Sequence, residues 1–414
     1  MSTGVDRRAV RFTGAALPWR VLLRLFAAAT LVVQLGGCAV WERMTGLFGE
    51  ENVNPPAELP EIAPTLRVQV LWRREVGQGV EQDYTRLMPL VLGDTVYAAG
   101  ARGKVAALDA RSGAPRWEVK LDVQTNAGVN GGENLVAIGT SEGEVIALDP
   151  VTGEEHWRRT LTSEVMAISR EVDETVIVRT NDGWVWALDA RSGEQRWSTR
   201  RMPPPLSLRG QSRPRIALDR VVVGFDDGKL AAFSLPDGVK LWQATVAVPE
   251  GRSEVERLVD VDGQIRVRDG VVYAAAYHGR VVAVSLAEGR ILWAREIGSH
   301  AGLDADDLWI YVTDDQDQVW ALDGETGASL WKQDKLEYRR LSAPAVVGEY
   351  VVAGDFEGYL HWMDKTDGHF VARVEVDGEG ILSPPVVVDG RLYVQGRGGI
   401  VAALAVGGET PQSP

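Results

Sequence analysis

Ser141 is the first residue whose setting invites a chemical reading. It lies in Gly139-Thr140-Ser141-Glu142-Gly143. This is the Gly-x-Ser-x-Gly spacing that exposes a nucleophilic hydroxyl at a sharp strand-to-helix turn, beside a histidine and an acid. This copy instead reads as a strand-to-strand turn, and the nearest histidine in sequence, His156, falls on a strand of its own. The five histidines (156, 278, 300, 361 and 369) have no metal-ligand spacing. Asp260-Val261-Asp262-Gly263 and Asp314-Asp315-Gln316-Asp317 begin like calcium loops, but neither has the glycine that such a loop needs at its sixth position, where Ile265 and Val319 stand. Acids in turns account for both. No catalytic residue, metal or cofactor is therefore assigned, and the remaining question is what frame carries these residues.

That frame is one repeating unit. Gly183-Trp184-Val185-Trp186-Ala187-Leu188-Asp189-Ala190-Arg191-Ser192-Gly193-Glu194-Gln195-Arg196-Trp197 reads Gly-x-φ-x-Ala-Leu-Asp-x-x-x-Gly-x-x-x-Trp, with φ apolar. The pattern recurs from Gly103, Gly143, Gly228 and Gly279, and from Asp317, which replaces the first glycine. A seventh copy from Gly358 has Ala372 where tryptophan is expected. The eighth, from Gly399, breaks off near Leu404, and its missing tryptophan strand sits at the other end of the chain, in Val70-Leu71-Trp72-Arg73. Each unit is a hairpin. The Asp bonds its own backbone two residues on, and the Gly takes a positive φ. Ala107, Ala147, Ala187, Ala232, Ala283, Ala321 and Ala403 stand next to a larger residue, mostly leucine, so their strands are apolar on both faces and must be covered on both sides. Units of about 40 residues that cannot bury their faces alone predict an all-β fold, an eight-bladed β-propeller of four-stranded antiparallel blades. The split repeat predicts that the N-terminal strand pairs with the last blade and closes the ring, which removes open sheet edges.

The N-terminus reads as an export signal. Arg7, Arg8, Arg11, Arg20 and Arg24 precede or flank a short apolar run from Leu25 to Val33, too short for a comfortable membrane span. It ends in Leu35-Gly36-Gly37-Cys38, which resembles the bacterial lipobox, where cysteine is acylated and becomes residue one. Cys38 is the single cysteine, so no disulfide framework competes for it. Ala39 at the next position implies, by resemblance to lipoprotein sorting, delivery to the outer membrane. The expected division is a signal peptide at 1–37, a lipid-anchored tether at 38–65, the propeller at 66–405 and a disordered tail at 406–414. The tether, rich in proline and acids, should be extended, and its removal through residue 62 should cost the ring almost nothing. The whole chain carries a net charge of −14. With nothing like a basic stripe, nucleic acid is excluded as a partner.

All length variation lies between each tryptophan and the next repeat, on one rim, while the hairpins on the other rim are uniform. Binding is commonly placed where a rigid scaffold varies. Two insertions in consecutive blades stand out, Pro203 to Pro214 and Pro249 to Gly263, and should emerge side by side. They contain Leu206-Ser207-Leu208-Arg209-Gly210 and Glu256-Arg257-Leu258-Val259-Asp260-Val261-Asp262. Together with the lipobox, the tether, the eight repeats and Asp355-Phe356-Glu357-Gly358-Tyr359-Leu360-His361-Trp362, these strings resemble the BamB family, the propeller lipoproteins of the outer-membrane β-barrel assembly machinery. The resemblance implies a non-enzymatic protein on the periplasmic side of the outer membrane, anchored to its inner leaflet. It also implies contact between Leu206, Leu208, Arg209, Asp260 and Asp262 and the periplasmic domains of the barrel-inserting subunit. Unfolded outer-membrane proteins are a further partner, for example by strand addition at blade edges. Two alternatives remain. One is a generic periplasmic scaffold propeller with another partner. The other is a quinoprotein alcohol dehydrogenase, whose repeats are similar but whose quinone sites by resemblance use a vicinal disulfide that a single cysteine cannot form.

Overall fold

In a computed structural model the chain is described over residues 54–80, 85–210 and 212–407. The export segment, Cys38 and most of the tail lie outside these residues. The described elements are strands throughout, grouped in eight four-stranded antiparallel sheets. Blade one contains Leu90–Leu92, Thr95–Ala99, Lys104–Asp109 and Pro115–Lys120 from the inside outward. Blades two to seven follow with the same order over 125–160, 165–200, 215–245, 266–295, 302–333 and 345–375. The eighth sheet is built from Val386–Val388, Arg391–Gln395 and Ile400–Val406, and its outer strand is Val68–Glu75. Val68 faces Val406 and Glu75 faces Ile400 in antiparallel register.

The repeat's residue types follow from this arrangement. The seven alanines named above are fully buried, because their strands sit between neighbouring blades. Asp189 accepts the backbone N–H groups of Arg191 (3.0 Å) and Ser192 (2.9 Å), and Asp109 and Asp149 act likewise. Gly193 has φ +70° and lies under the tryptophan of the preceding blade, where an added Cβ would come within 2.6 Å of the Trp157 ring. The same indole donates its N–H to Ala190 O at 2.9 Å. The outer-strand tryptophans Trp72, Trp117, Trp197, Trp242, Trp293 and Trp331 are locked in the same way onto the next blade's hairpin. Trp72 reaches Ala110 O (3.0 Å) and packs on Gly113, so the eighth sheet grips the first.

Both departures from the repeat now have causes. The eighth blade's outer strand enters from the far end of the chain, so the blade has no hairpin on which a tryptophan from blade seven could rest. Ala372 occupies that place, and the Thr65 and Leu66 N–H groups donate to Val371 O (3.0 and 3.1 Å). Leu66, Val68 and Val70 fill the space around it. Asp317 has φ +62°, a conformation that Asp tolerates better than most residues, and its carboxylate accepts the Arg340 and Leu341 N–H groups at 2.7 and 2.8 Å.

The proline-rich stretch differs from expectation. From Ala57 onward it is bound to blade seven rather than extended freely. The Ala57 N–H donates to Glu337 O at 2.9 Å. Arg339, buried and paired with Asp355 (2.8 Å), donates to Ala57 O at 2.9 Å, and Arg373 donates to Pro60 O at 3.0 Å. Proline lacks an N–H but keeps its carbonyl, so arginines suit such a chain.

Candidate functional site

The two insertions meet on one rim. The first connects Gln195–Arg200 of blade three to Arg215–Ala217 of blade four, and the second connects Lys240–Thr245 of blade four to Arg266–Arg268 of blade five. Pro203, Pro204 and Pro205 restrict the entry to the first loop. Leu206 at its tip is 42% exposed, while Leu208 is half-buried. Met202 on the same connection and Val248 and Val255 on the neighbouring one are also exposed, so the two inter-blade connections hold four of the eleven large apolar side chains exposed among the described residues. Arg209 sits at φ +58°, a left-handed conformation that costs a non-glycine residue roughly 1–2 kcal/mol. Its N–H donates to Ser207 Oγ (3.3 Å), and its guanidinium pairs with Glu164 at the entry to blade three. Burial pushes the Glu164 carboxyl up, opposed by the Arg209 charge.

Asp260 and Asp262 lie beneath this loop rather than on the surface beside it. Asp260 is fully buried and accepts the Leu208 N–H. Asp262 is 7% exposed and presses against Gly210, where an added Cβ would fall 1.6 Å from its Cγ. The expectation that these aspartates contact a partner directly is therefore corrected, since both are buried. Glu164 orients Arg209, and the aspartates hold the loop's backbone from below. The physical reason is the depth of the whole segment: Val259 and Val261 are buried as well, and the Val261 N–H donates to Phe225 O at 3.2 Å.

Asp226 joins them, with oxygens of the three carboxylates within 4.8 Å of one another. Arg179 neutralises Asp226 at 2.9 Å, and Arg86 is buried nearby. This is the one carboxylate group among the described residues close enough to share a cation. Neither oxygen of Asp262, nor Oδ1 of Asp260, has a hydrogen-bond donor among the described residues. Burial, and then the charges of Asp260 and Asp226, raise the Asp262 carboxyl well above the usual range; burial and then Asp226 raise Asp260 to about 7. A proton shared between Asp260 and Asp262 satisfies both. The folded state then keeps a proton that the unfolded chain releases near pH 4, so this contribution to stability falls as pH rises above about 4. Asp262→Asn, which cannot ionise, should lose less stability than the parent as pH rises from 5 to 8. Denaturant melts at the two pH values check this, and identical pH dependence of parent and variant refutes the shared proton.

Leu206, Leu208, Arg209, Asp260 and Asp262 are thus brought together. Glu164, Asp226 and Arg179 complete the arrangement and were not read from sequence, because they lie in other repeats at ordinary turn and strand positions. Ser141 sits in the turn between Val136–Thr140 and Glu144–Leu148, with its N–H on Gln124 O at 3.1 Å. His156 pairs with Asp149 (3.1 Å) on the opposite, hairpin side of its blade.

Comparison with known proteins follows this geometry. A family model described as "Outer membrane protein assembly factor BamB" matches residues 101–333 and 325–409. A protein of that name from Alkalilimnicola ehrlichii is 49% identical over 347 residues, covering 84% of this chain and 91% of the relative. The crystal structure of BamB from Moraxella catarrhalis has a TM-score of 0.74 at 28% identity, covering 82% of this chain and all of that one. A quinohemoprotein alcohol dehydrogenase from Comamonas testosteroni has a TM-score of 0.66 at 14% identity over 84% of this chain and 78% of its own, a likeness of fold alone. The chain belongs to the BamB family of outer membrane protein assembly factors.

Proposed function

We propose that this protein is a non-enzymatic factor for the assembly of β-barrel proteins into the outer membrane, anchored there through an acylated Cys38 and docked through the Leu206–Arg209 loop on the periplasmic domains of the barrel-inserting subunit. The names of its relatives support the assembly role. One observation carries the docking site: an exposed leucine and an arginine stand on a backbone already fixed by buried carboxylates. A loop ordered in advance loses little entropy on binding, and an apolar anchor beside an arginine is the composition of an interface hot spot. Asp260 and Asp262 take part as positioning residues.

The test is co-purification with the barrel-inserting subunit, with a thermal melt of each variant. Replacing Leu206, Leu208 and Arg209 together by alanine should weaken docking by about 2 kcal/mol or more, roughly 30-fold, while the blades stay folded. A triple variant that still docks overturns the site. In the same cells Cys38→Ser should leave the outer-membrane fraction, and its unchanged fractionation overturns the anchor.

A further inference from the structure

A second site lies away from the docking loop, on the ring axis. Residues from all eight blades line one cavity of about 450 Å³. In a chain of net charge −14 the lining is cationic: Arg170, Arg213, Arg215, Arg266 and Arg268 face it, against Asp304 and Asp306. Two of the arginines have carboxylate partners. Arg266 Nε pairs with Asp304 at 2.6 Å, and Arg268 pairs with Asp307. Asp306 is already engaged by the Leu308 and Trp309 N–H groups at 2.9 and 2.8 Å.

The other three arginines have no carboxylate within ion-pair distance among the described residues, although the Asp304 charge acts on Arg215 from farther off. Arg170 donates to Val91 O (3.3 Å) and Arg213 to Gly128 O (3.2 Å), both neutral acceptors. Arg215 has neither a hydrogen bond nor an ion pair among the described residues. Burial pulls Arg213 and Arg215 down to about 10, with the charges of neighbouring arginines adding to it. Asp262 borders the small pocket that also touches Arg213, and no ion pair joins the two among the described residues. Register explains the arrangement. Arg215, Arg266 and Asp304 stand on the inner strands of three consecutive blades at one level, since they face Val222, Tyr273 and Tyr311 on the second strands. At that level one aspartate serves two arginines.

The geometry points to a binding site for a small multivalent oxyanion, a polyphosphate or a polycarboxylate, held in the central channel by Arg170, Arg213 and Arg215. A guanidinium fork matches two oxygens of a phosphate or carboxylate. Like charges held together in a partly desolvated cavity are an uncompensated cost that such an anion removes. The ligand is small because it must lie within the channel, and multivalent because three guanidinium groups converge.

Isothermal titration of the full-length protein in detergent, with tripolyphosphate and separately with citrate, tests the site. Chelator is present and ionic strength is held constant with sodium chloride. The expected result is saturable one-to-one binding of at least one anion, weakened about tenfold or more by Arg215→Gln and independently by Arg213→Gln, as loss of a charge-assisted contact requires. Unliganded Arg215→Gln should melt at or above the parent temperature, because it removes an unpaired charge, so loss of binding is not loss of fold. Arg290→Gln, on an exposed hairpin beside Glu288, should bind as the parent does. Three results overturn the proposal: no saturable binding of either anion, equal affinity in the parent and both channel variants, or capture only by phosphatidylglycerol vesicles, which would place the anion on a lipid.

Discussion

A chain lacking residues 1–75 should melt about 10 °C below one lacking only residues 1–55. The difference is the outer strand of the eighth blade. Val68–Glu75 supplies Trp72, 8% exposed, with its hydrogen bond to Ala110 O and its contact with Gly113. Arg74 also leaves, with its 3.1 Å bond to Gly113 O. Truncating a buried tryptophan costs about 3–5 kcal/mol by itself, and deletion additionally bares the edge of Ile400–Val406 to other chains. A chain lacking residues 1–64 should fall between the two, because Arg339 and Arg373 lose the carbonyl oxygens of Ala57 and Pro60, at about 1 kcal/mol per hydrogen bond. Thermal melts of the three truncations decide the matter; equal melting temperatures for the shortest and longest chains contradict the grip of the eighth blade on the first.

Gly210→Ala should abolish docking as thoroughly as removal of the leucines, although it deletes no contact atom. The added methyl would stand 1.6 Å from Asp262 Cγ and 1.9 Å from its Oδ1, so the loop has to lift. Lifting it separates the Leu208 N–H from Asp260 and pulls Arg209 from Glu164. The expected cost in docking is about 2 kcal/mol or more, with a melting temperature within a few degrees of the parent, because no blade core is touched. Co-purification and a melt check both halves. Undiminished docking of Gly210→Ala would show that the loop's fixed backbone is irrelevant to the partner.

Much of the ring was legible because each blade repeats the same solution. The Asp-x-x-x-Gly hairpin, the buried alanines and the split repeat are local or periodic features, and periodicity survives without knowledge of contacts. The tryptophan lock was not read, since Trp157 and Gly193 meet only across a blade boundary. The same ignorance of neighbours made Ala372 look like a lapse, when it marks the place where the next blade lacks a hairpin. At the site, the loop residues were legible as an insertion with unusual side chains. Their supports were not: Glu164, Asp226 and Arg179 are ordinary turn and strand residues until the fold brings three repeats to one rim. The depth of Asp260 and Asp262 was misjudged for a related reason, as Val259 and Val261 are buried along with them and only the fold shows it.

The pairing of Val68 with Val406 also has a consequence in time. Within blades two to seven every strand partner is close in sequence and can be found while the chain is still emerging, but the first and last strands join across nearly its whole length. Closure entropy grows with the span to be closed, and pairings of long sequence separation form slowly. The ring therefore stays open until the final strand is released.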